Sequence, residues 1–299
     1  RLLMRTIRQT QPEVILVRGY RSAFTIITLL VARLMGLRIL LLVQTSTHSG
    51  AGWYRKTALW ILQNFFGIEK IISPLENNSS AHNDLYEYVP FPITPALCQA
   101  KPSADGPVKI MTVGKFQSRK GHLLLLQVLK QLRTEGTNAQ LTLVGEAKDP
   151  AAEASIMSFI DNSQLAEHVT ILTHLSHQRV RELYCDHDLF VLPSWNEPAA
   201  FSPLEAMAAG LPVIVSDTCG TKCYIKAGVN GVIFKSGDSN DLYTTVKSVL
   251  AQNLEHLGAH SMEYVTTRHS LSQYAQIMTT ILNSKYEKDS SKSNQKHNI

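Results

Sequence analysis

The chain has 299 residues, 44% of them hydrophobic and 18% charged, with a formal net charge of +5. This length fits one large or two medium domains that bury a real core. The small positive excess fits an anionic substrate and argues against an extended nucleic-acid surface. The longest apolar segment, residues 23–34, is broken by Thr25, Thr28 and Arg33 and is too short to span a bilayer. The four cysteines, at 98, 185, 219 and 223, show neither a disulfide framework nor zinc spacing. They read as unpaired thiols of a reducing, cytoplasmic setting.

In chain order, a short apolar strand over 13–17 leads to a helix over 21–35 that ends at Gly36. A continuous apolar strand follows over 38–43, then an apolar helix over 53–66 stopped by Gly67, a short strand over 70–72 and a proline-rich exit over 88–93. This alternation indicates a parallel sheet with crossover helices. The 53–66 helix is apolar nearly all round, which favours core packing; its basic start leaves peripheral membrane contact as a second reading. The stretch 94–107 holds three prolines and reads as an interdomain linker.

Beyond the linker the alternation restarts. Strands are expected over 108–113, 140–144, 169–172, 188–192, 213–215 and 232–234, with helices between them and a helical region over 238–286. The Ser/Lys/Asn-rich stretch 289–299 reads as disordered. The expected organisation is a partial domain over 1–100, a complete Rossmann-like unit over 101–284 and a disordered tail over 285–299. The chain opens at Arg1 in what reads as mid-helix, so the first domain is expected to lack its first half.

The most informative segment is Glu197-Pro-Ala-Ala-Phe-Ser-Pro-Leu-Glu205, flanked by Phe190-Val-Leu-Pro-Ser-Trp-Asn and Ala206-Met-Ala-Ala-Gly-Leu-Pro-Val. It reads as buried strand, loop, helix, turn and buried strand. Ligands of α/β folds sit at such loops, and a helix opening near Ser202 aims free N–H groups at an anion. The spacing alone is weak, because Glu255 and Glu263 repeat it in a polar stretch where solvated surface is the natural reading. The context carries the signal: residues 192–215 resemble the signature of retaining glycosyltransferases of family 4.

That resemblance implies an α/β chain of GT-B fold, two Rossmann-like domains with the first one incomplete. It implies transfer of a sugar from a nucleoside diphosphate sugar to an acceptor hydroxyl, with retained configuration. Gly114-Lys-Phe-Gln-Ser-Arg-Lys-Gly121 is similar to the family's phosphate segment. On the resemblance Lys115 stands where an arginine is usual, keeping the charge but losing the fork, and Lys120 is the second phosphate cation. Glu197 contacts the donor sugar and Glu205 the ribose. Ala199, Ala200, Phe201 and Ser202 line the sugar phosphate and depart from the usual Phe-Gly, and the base packs near Leu172 and His174.

On the first domain the resemblance implies an acceptor-side histidine, but Gln44 stands at the strand end and His48 lies four residues on. Gln44 can hydrogen-bond a hydroxyl and cannot act as a base. Asp186-His-Asp188 mimics a metal-binding Asp-x-Asp but leads straight into a strand. No protein metal site and no cofactor are expected, and any magnesium is held through the diphosphate. The expected partners are the nucleoside diphosphate sugar and a surface-polysaccharide or lipid-linked glycan acceptor. Two other readings remain open: a non-catalytic nucleotide-sugar-binding remnant, and a nucleotide-sugar epimerase on the same architecture.

Overall fold

The computed structural model describes residues 2–20, 22–44, 57–76, 85–95, 98 and 106–295, with side chains as far as 284. The chain divides into two compact units, Arg1–Pro90 and Phe91–Ile299. The first unit holds α1 (Leu2–Thr10), β1 (Val14–Arg18), α2 (Ala23–Leu34), β2 (Arg38–Leu42), β3 (Ile68–Ser73) and β4 (Tyr86–Tyr88). Among the described residues its four strands pair in the order β1-β2-β3-β4, all parallel. Ser22 opens α2 with a reciprocal capping box to Thr25, which satisfies donors that the first turn leaves free. Leu29 and Ala32 turn inward onto Ile39 and Leu41.

The expected helix over 53–66 differs in detail. Residues 53–56 lie outside the described residues. Residues 57–60 are helical and run into a π-turn, Ile61–Phe65. Leu62 is buried there, whereas Trp60 and Phe65 are exposed, so the segment is not the fully buried core helix that its composition indicates. Among the described residues no helix is long and apolar enough to cross a membrane.

Among the described residues the second unit carries six strands: β5 (Val108–Val113), β6 (Ala139–Val144), β7 (Val169–Leu172), β8 (Leu189–Leu192), β9 (Val213–Ser216) and β10 (Gly231–Phe234). They pair in parallel in the order β10-β9-β8-β5-β6-β7. This is the doubly wound order of a complete Rossmann-like unit, with its switch point between β5 and β8. Every residue of β8 and β9 is buried. That explains their continuous apolar sequence, because a parallel sheet is covered on both faces.

The helices are α3 (His122–Thr134), α4 (Pro150–Asn162), α5 (His177–Cys185), α6 (Ser202–Ala208), α7 (Ser239–Leu250), α8 (Leu254–Arg268) and α9 (Leu271–Gln295). Helix α3 packs on α4 and α7, and α6 packs on α5 and α8. The core between α3, α7 and the sheet includes Leu125, Leu129, Leu141, Val191, Leu242 and Val246. Each such side chain contributes about 1.5–3 kcal/mol of burial energy. Helix α9 runs to Gln295, through much of the stretch expected to be a tail. No proline or glycine interrupts it, and its Ser, Lys, Glu and Gln residues tolerate a helix.

The cysteine reading requires correction. Cys98 and Cys185 form a disulfide across 87 residues, with Cα atoms 5.2 Å apart; Cys219 and Cys223 are not part of it. The Arg181 guanidinium donates to the carbonyls of Thr94 (3.4 Å) and Pro95 (2.7 Å). Thr94 and Pro95 are thereby held against α5, and Cys98 is bonded to its last residue. A separation of this size leaves no local trace in the sequence.

Two buried histidines give the second unit a pH dependence. Burial, with the Lys120 charge adding to it, lowers His122 from 6.5 to about 4. Burial also lowers His269 to about 4, against a hydrogen bond from its ring to the Phe91 carbonyl. Above pH 6.5 both are neutral, folded or unfolded, and cost nothing. As pH falls from 6.5 towards 4, the unfolded chain takes up protons that the folded chain refuses, so stability falls by up to about 3 kcal/mol per histidine. Urea unfolding should show this loss already between pH 6.5 and 5, before most carboxylates titrate, and His122→Gln should reduce the slope. A midpoint unchanged over that window would contradict the assignment.

Candidate functional site

At the switch point two loops leave the carboxyl ends of adjacent strands. The loop after β5 begins at Gly114, whose N–H bonds the Val144 carbonyl at 2.9 Å. It then makes a single 3-10 turn, Ser118–Lys120, and closes at Gly121. Gly121 has φ +72°, and a Cβ there would lie 2.2 Å from the Pro193 carbonyl oxygen. Only glycine satisfies both conditions. Its close approach presses the β5 loop against the exit of β8. A similar contact joins β5 to β6, since a Cβ on Gly145 would meet the Gly114 carbonyl oxygen at 2.0 Å.

The consequence is an ion-paired cluster. The Lys120 ammonium bonds Glu197 Oε2, and both side chains are nearly buried, at 12% and 11% exposure. Arg119 Nη1 reaches the same oxygen at 3.1 Å and the Asn196 carbonyl at 3.0 Å. The Glu197 main chain is held too, because its carbonyl accepts from Gly220 N at 2.8 Å. Both loops are thus joined through one carboxylate oxygen.

The second acidic residue sits one turn into α6, which opens at Ser202 with no side-chain cap. Both Glu205 oxygens are engaged from α5. His177 Nε2 lies 2.7 Å from Oε1, and the Tyr184 hydroxyl donates to Oε2 at 3.2 Å. Tyr184 is fully buried; burial and the neighbouring Glu205 raise its phenol far above the usual value, so it stays a donor. Between the two acids, Ala199 is half-buried and Ala200 buried. Phe201 is 43% exposed, with its ring 4.0 Å from that of Phe91. The Ser202 hydroxyl donates to the Val113 carbonyl at 3.4 Å.

Lys115 lies apart from this cluster. It is exposed and acts on Glu146, whose carboxyl is held below its usual value first by a hydrogen bond from Lys148, with the charges of Lys115 and His174 adding. His174 adopts φ 56°, a turn conformation. Leu172 closes β7, and its carbonyl accepts from Gly145 N at 3.0 Å. Asp188 is committed to the fold: its side chain accepts from Lys109 N at 2.8 Å. Between it and Asp186, His187 is buried and bonds Leu183 O and Thr142 Oγ1.

In the first unit, Gln44 follows β2 and accepts from Arg18 Nη2 at 2.5 Å. Both line a cavity of about 350 Å³ with Tyr20, Ser22 and Thr25. His48 lies outside the described residues. Sequence reasoning missed Arg119, Tyr184, His177 and Arg18. Arg119 stands inside the segment already singled out and was legible as a third cation. The contact of α5 with Glu205 had no local signal.

Residues 95–277 match the family described as "Glycosyl transferases group 1". Spore coat protein SA of Bacillus subtilis (strain 168) is 26% identical over 189 residues, covering 60% of this chain and 48% of that protein. D-inositol 3-phosphate glycosyltransferase of Geodermatophilus obscurus is 27% identical over 173 residues, covering 54% and 38%. The chain thus spans about half or less of the length of these curated relatives. Among solved structures, Anabaena Alr3699/HepE in complex with UDP superposes with a TM-score of 0.80 at 16% identity, over 95% of this chain and 82% of that one. A glycosyltransferase from Rickettsia africae ESF-5 gives 0.77 at 16% identity, over 95% and 79%. The fold is therefore GT-B, with two Rossmann-like domains.

Gly121→Ala tests the loop contact. The positive φ and the displaced Pro193 carbonyl together should cost at least about 2 kcal/mol, read as a lower urea midpoint. Gly136→Ala is the reference, since Gly136 also has positive φ but open space around its Cβ position. Equal losses in the two variants would show that φ alone matters.

Proposed function

The chain belongs to the glycosyl transferases group 1 family, and on that premise we propose that it is a retaining family 4 enzyme transferring a sugar from a nucleoside diphosphate sugar to an acceptor hydroxyl. The observation that carries this reading is the Lys120–Glu197 pair at the switch point, with Glu205 one turn further on. A cation and two carboxylates at this crevice match a leaving diphosphate, a donor sugar and a ribose. Lys120 neutralises charge growing on the diphosphate as the glycosidic bond breaks. Glu197 meets sugar hydroxyls through Oε1, which accepts none of the hydrogen bonds found for this carboxylate. Glu205 takes the ribose hydroxyls, oriented by Tyr184 and His177.

Retention follows from attack on the face that the diphosphate leaves. The acceptor oxygen bonds the anomeric carbon, the carbon–phosphate-oxygen bond breaks, and the acceptor proton passes to the departing phosphate oxygen. Glu197 is not the nucleophile on this reading, because two cations occupy its Oε2. Lys115, Gly114 and the 199–202 loop complete the donor site, with Leu172 and His174 beside the base. Gln44 and His48 belong to the acceptor side, and the acceptor is a growing surface polysaccharide or a lipid-linked glycan. No cofactor is required on this reading, and any magnesium is held through the diphosphate.

Thermal shift and calorimetry across UDP-, GDP- and ADP-sugars test the donor reading. The UDP complex of the Anabaena protein makes uridine nucleotides the first to try. Failure of all three classes to bind would overturn the proposal.

Glu205→Ala should weaken nucleoside diphosphate binding by about 1.5–3 kcal/mol, tenfold or more, with folding retained. Unchanged affinity would remove Glu205 from the site. Lys120→Ala should lower kcat by about 10² to 10³ while leaving binding of the phosphate-free nucleoside intact. Near-normal kcat would reduce Lys120 to a structural partner of Glu197.

A further inference from the structure

Lys120 cannot serve two anions equally. In the structure its ammonium bonds Glu197 Oε2, and on the donor reading above it must also meet the diphosphate. If Lys120 turned to the phosphate and nothing replaced it, Glu197 would remain as a carboxylate at 11% exposure facing a dianion. An unpaired charge in such a place is costly, and two like charges side by side add to that cost. Lys120 would stay with Glu197 and the diphosphate would bind weakly.

Arg119 has the geometry that removes this conflict. It is tied to the β8 loop three times. Its carbonyl accepts from Trp195 N at 3.0 Å. Its Nη1 donates to the Asn196 carbonyl at 3.0 Å and to Glu197 Oε2 at 3.1 Å. Two of these bonds are independent of the carboxylate, so Arg119 stays where it is whatever Lys120 does. Its side chain is 41% exposed against 12% for Lys120, so it holds Glu197 from the solvent side while Lys120 occupies the interior. A guanidinium has several donors in a rigid fork and can hold a carbonyl and a carboxylate at once.

We propose that Arg119 is a positioning residue: it keeps Glu197 paired and in place while Lys120 transfers its charge from Glu197 to the donor diphosphate. The proposal rests on the donor-site reading. It assigns Arg119 no contact with the substrate; Arg119 acts through Glu197 by releasing Lys120.

A rescue experiment separates this role from direct phosphate binding. Affinity is measured by calorimetry for UDP, GDP and ADP, continuing with whichever the unsubstituted chain binds. Arg119→Ala should weaken that nucleoside diphosphate about tenfold, the effect of one charge-assisted bond, because Lys120 is then held by Glu197. Adding Glu197→Gln should undo the loss: Arg119→Ala with Glu197→Gln should bind within about twofold of Glu197→Gln alone, the near-complete coupling expected of groups acting through one another. Arg119→Lys should retain most of the affinity.

An Arg119→Ala chain that binds as the unsubstituted one does overturns the proposal. So does a double variant that is still about tenfold weaker than Glu197→Gln alone, since Arg119 would then touch the phosphate itself. Unfolding midpoints accompany each variant. If Arg119→Ala is unfolded, Arg119→Gln, which keeps a donor for the Asn196 carbonyl, is read by the same two outcomes. Absence of binding by the unsubstituted chain to any of the three nucleotides would overturn the donor reading itself, and is thereby distinct from a failed rescue.

Discussion

One carboxylate oxygen, Glu197 Oε2, holds the centre of the second unit together. It takes the Lys120 ammonium and the Arg119 guanidinium from the loop after β5, while the Glu197 backbone is pinned to Gly220. The arrangement depends on Gly121, the residue that lets the β5 loop come within contact of Pro193. A side chain there would collide with the Pro193 carbonyl, 2.2 Å from the Cβ position. The same contact places a positive centre at the crevice where an α/β sheet binds its ligands, so packing and chemistry are set by one constraint.

The second carboxylate is held differently. Glu205 rides on a short helix whose inward side chains, Leu204, Ala206, Met207 and Ala208, are buried, so its position is set by the core. Its orientation is set by α5, through Tyr184 and His177. That helix is in turn tied to Thr94 and Pro95 by Arg181 and to Cys98 by the Cys98–Cys185 bond. Phe91 meets Phe201 on the loop between the two acids, and its carbonyl meets His269 at the end of α8. The segment entering the second unit therefore touches the elements on both sides of Glu205.

Much of this was legible in the chain. The strands over 108–113 and 169–172 were read with the bounds observed, because parallel strands buried on both faces are apolar without interruption and turn residues delimit them. Glu197, Glu205 and Lys120 were legible through the resemblance of residues 192–215 and 114–121 to the family's motifs, which spacing alone would not have supplied. The π-turn at residues 61–65 was not, since composition does not distinguish it from an α-helix. On the resemblance Lys115 is the less secure of the two phosphate cations, because it lacks the arginine fork, and it is Lys120, the last residue of the 3-10 turn, that meets Glu197.

The sequence by itself determined the order of elements, the identity of the two acids and the position of the cationic loop. These depend on periodicity and on neighbours a few residues apart, which a chain carries locally. Tertiary structure alone decided which cation meets which acid, that Arg119 shares Glu197 with Lys120, that Tyr184 and His177 grip Glu205, and that Cys98 reaches Cys185. Each of those pairings joins residues about 20 to 90 positions apart, through sheet order and helix packing. They are properties of distance in space, and no local pattern records them.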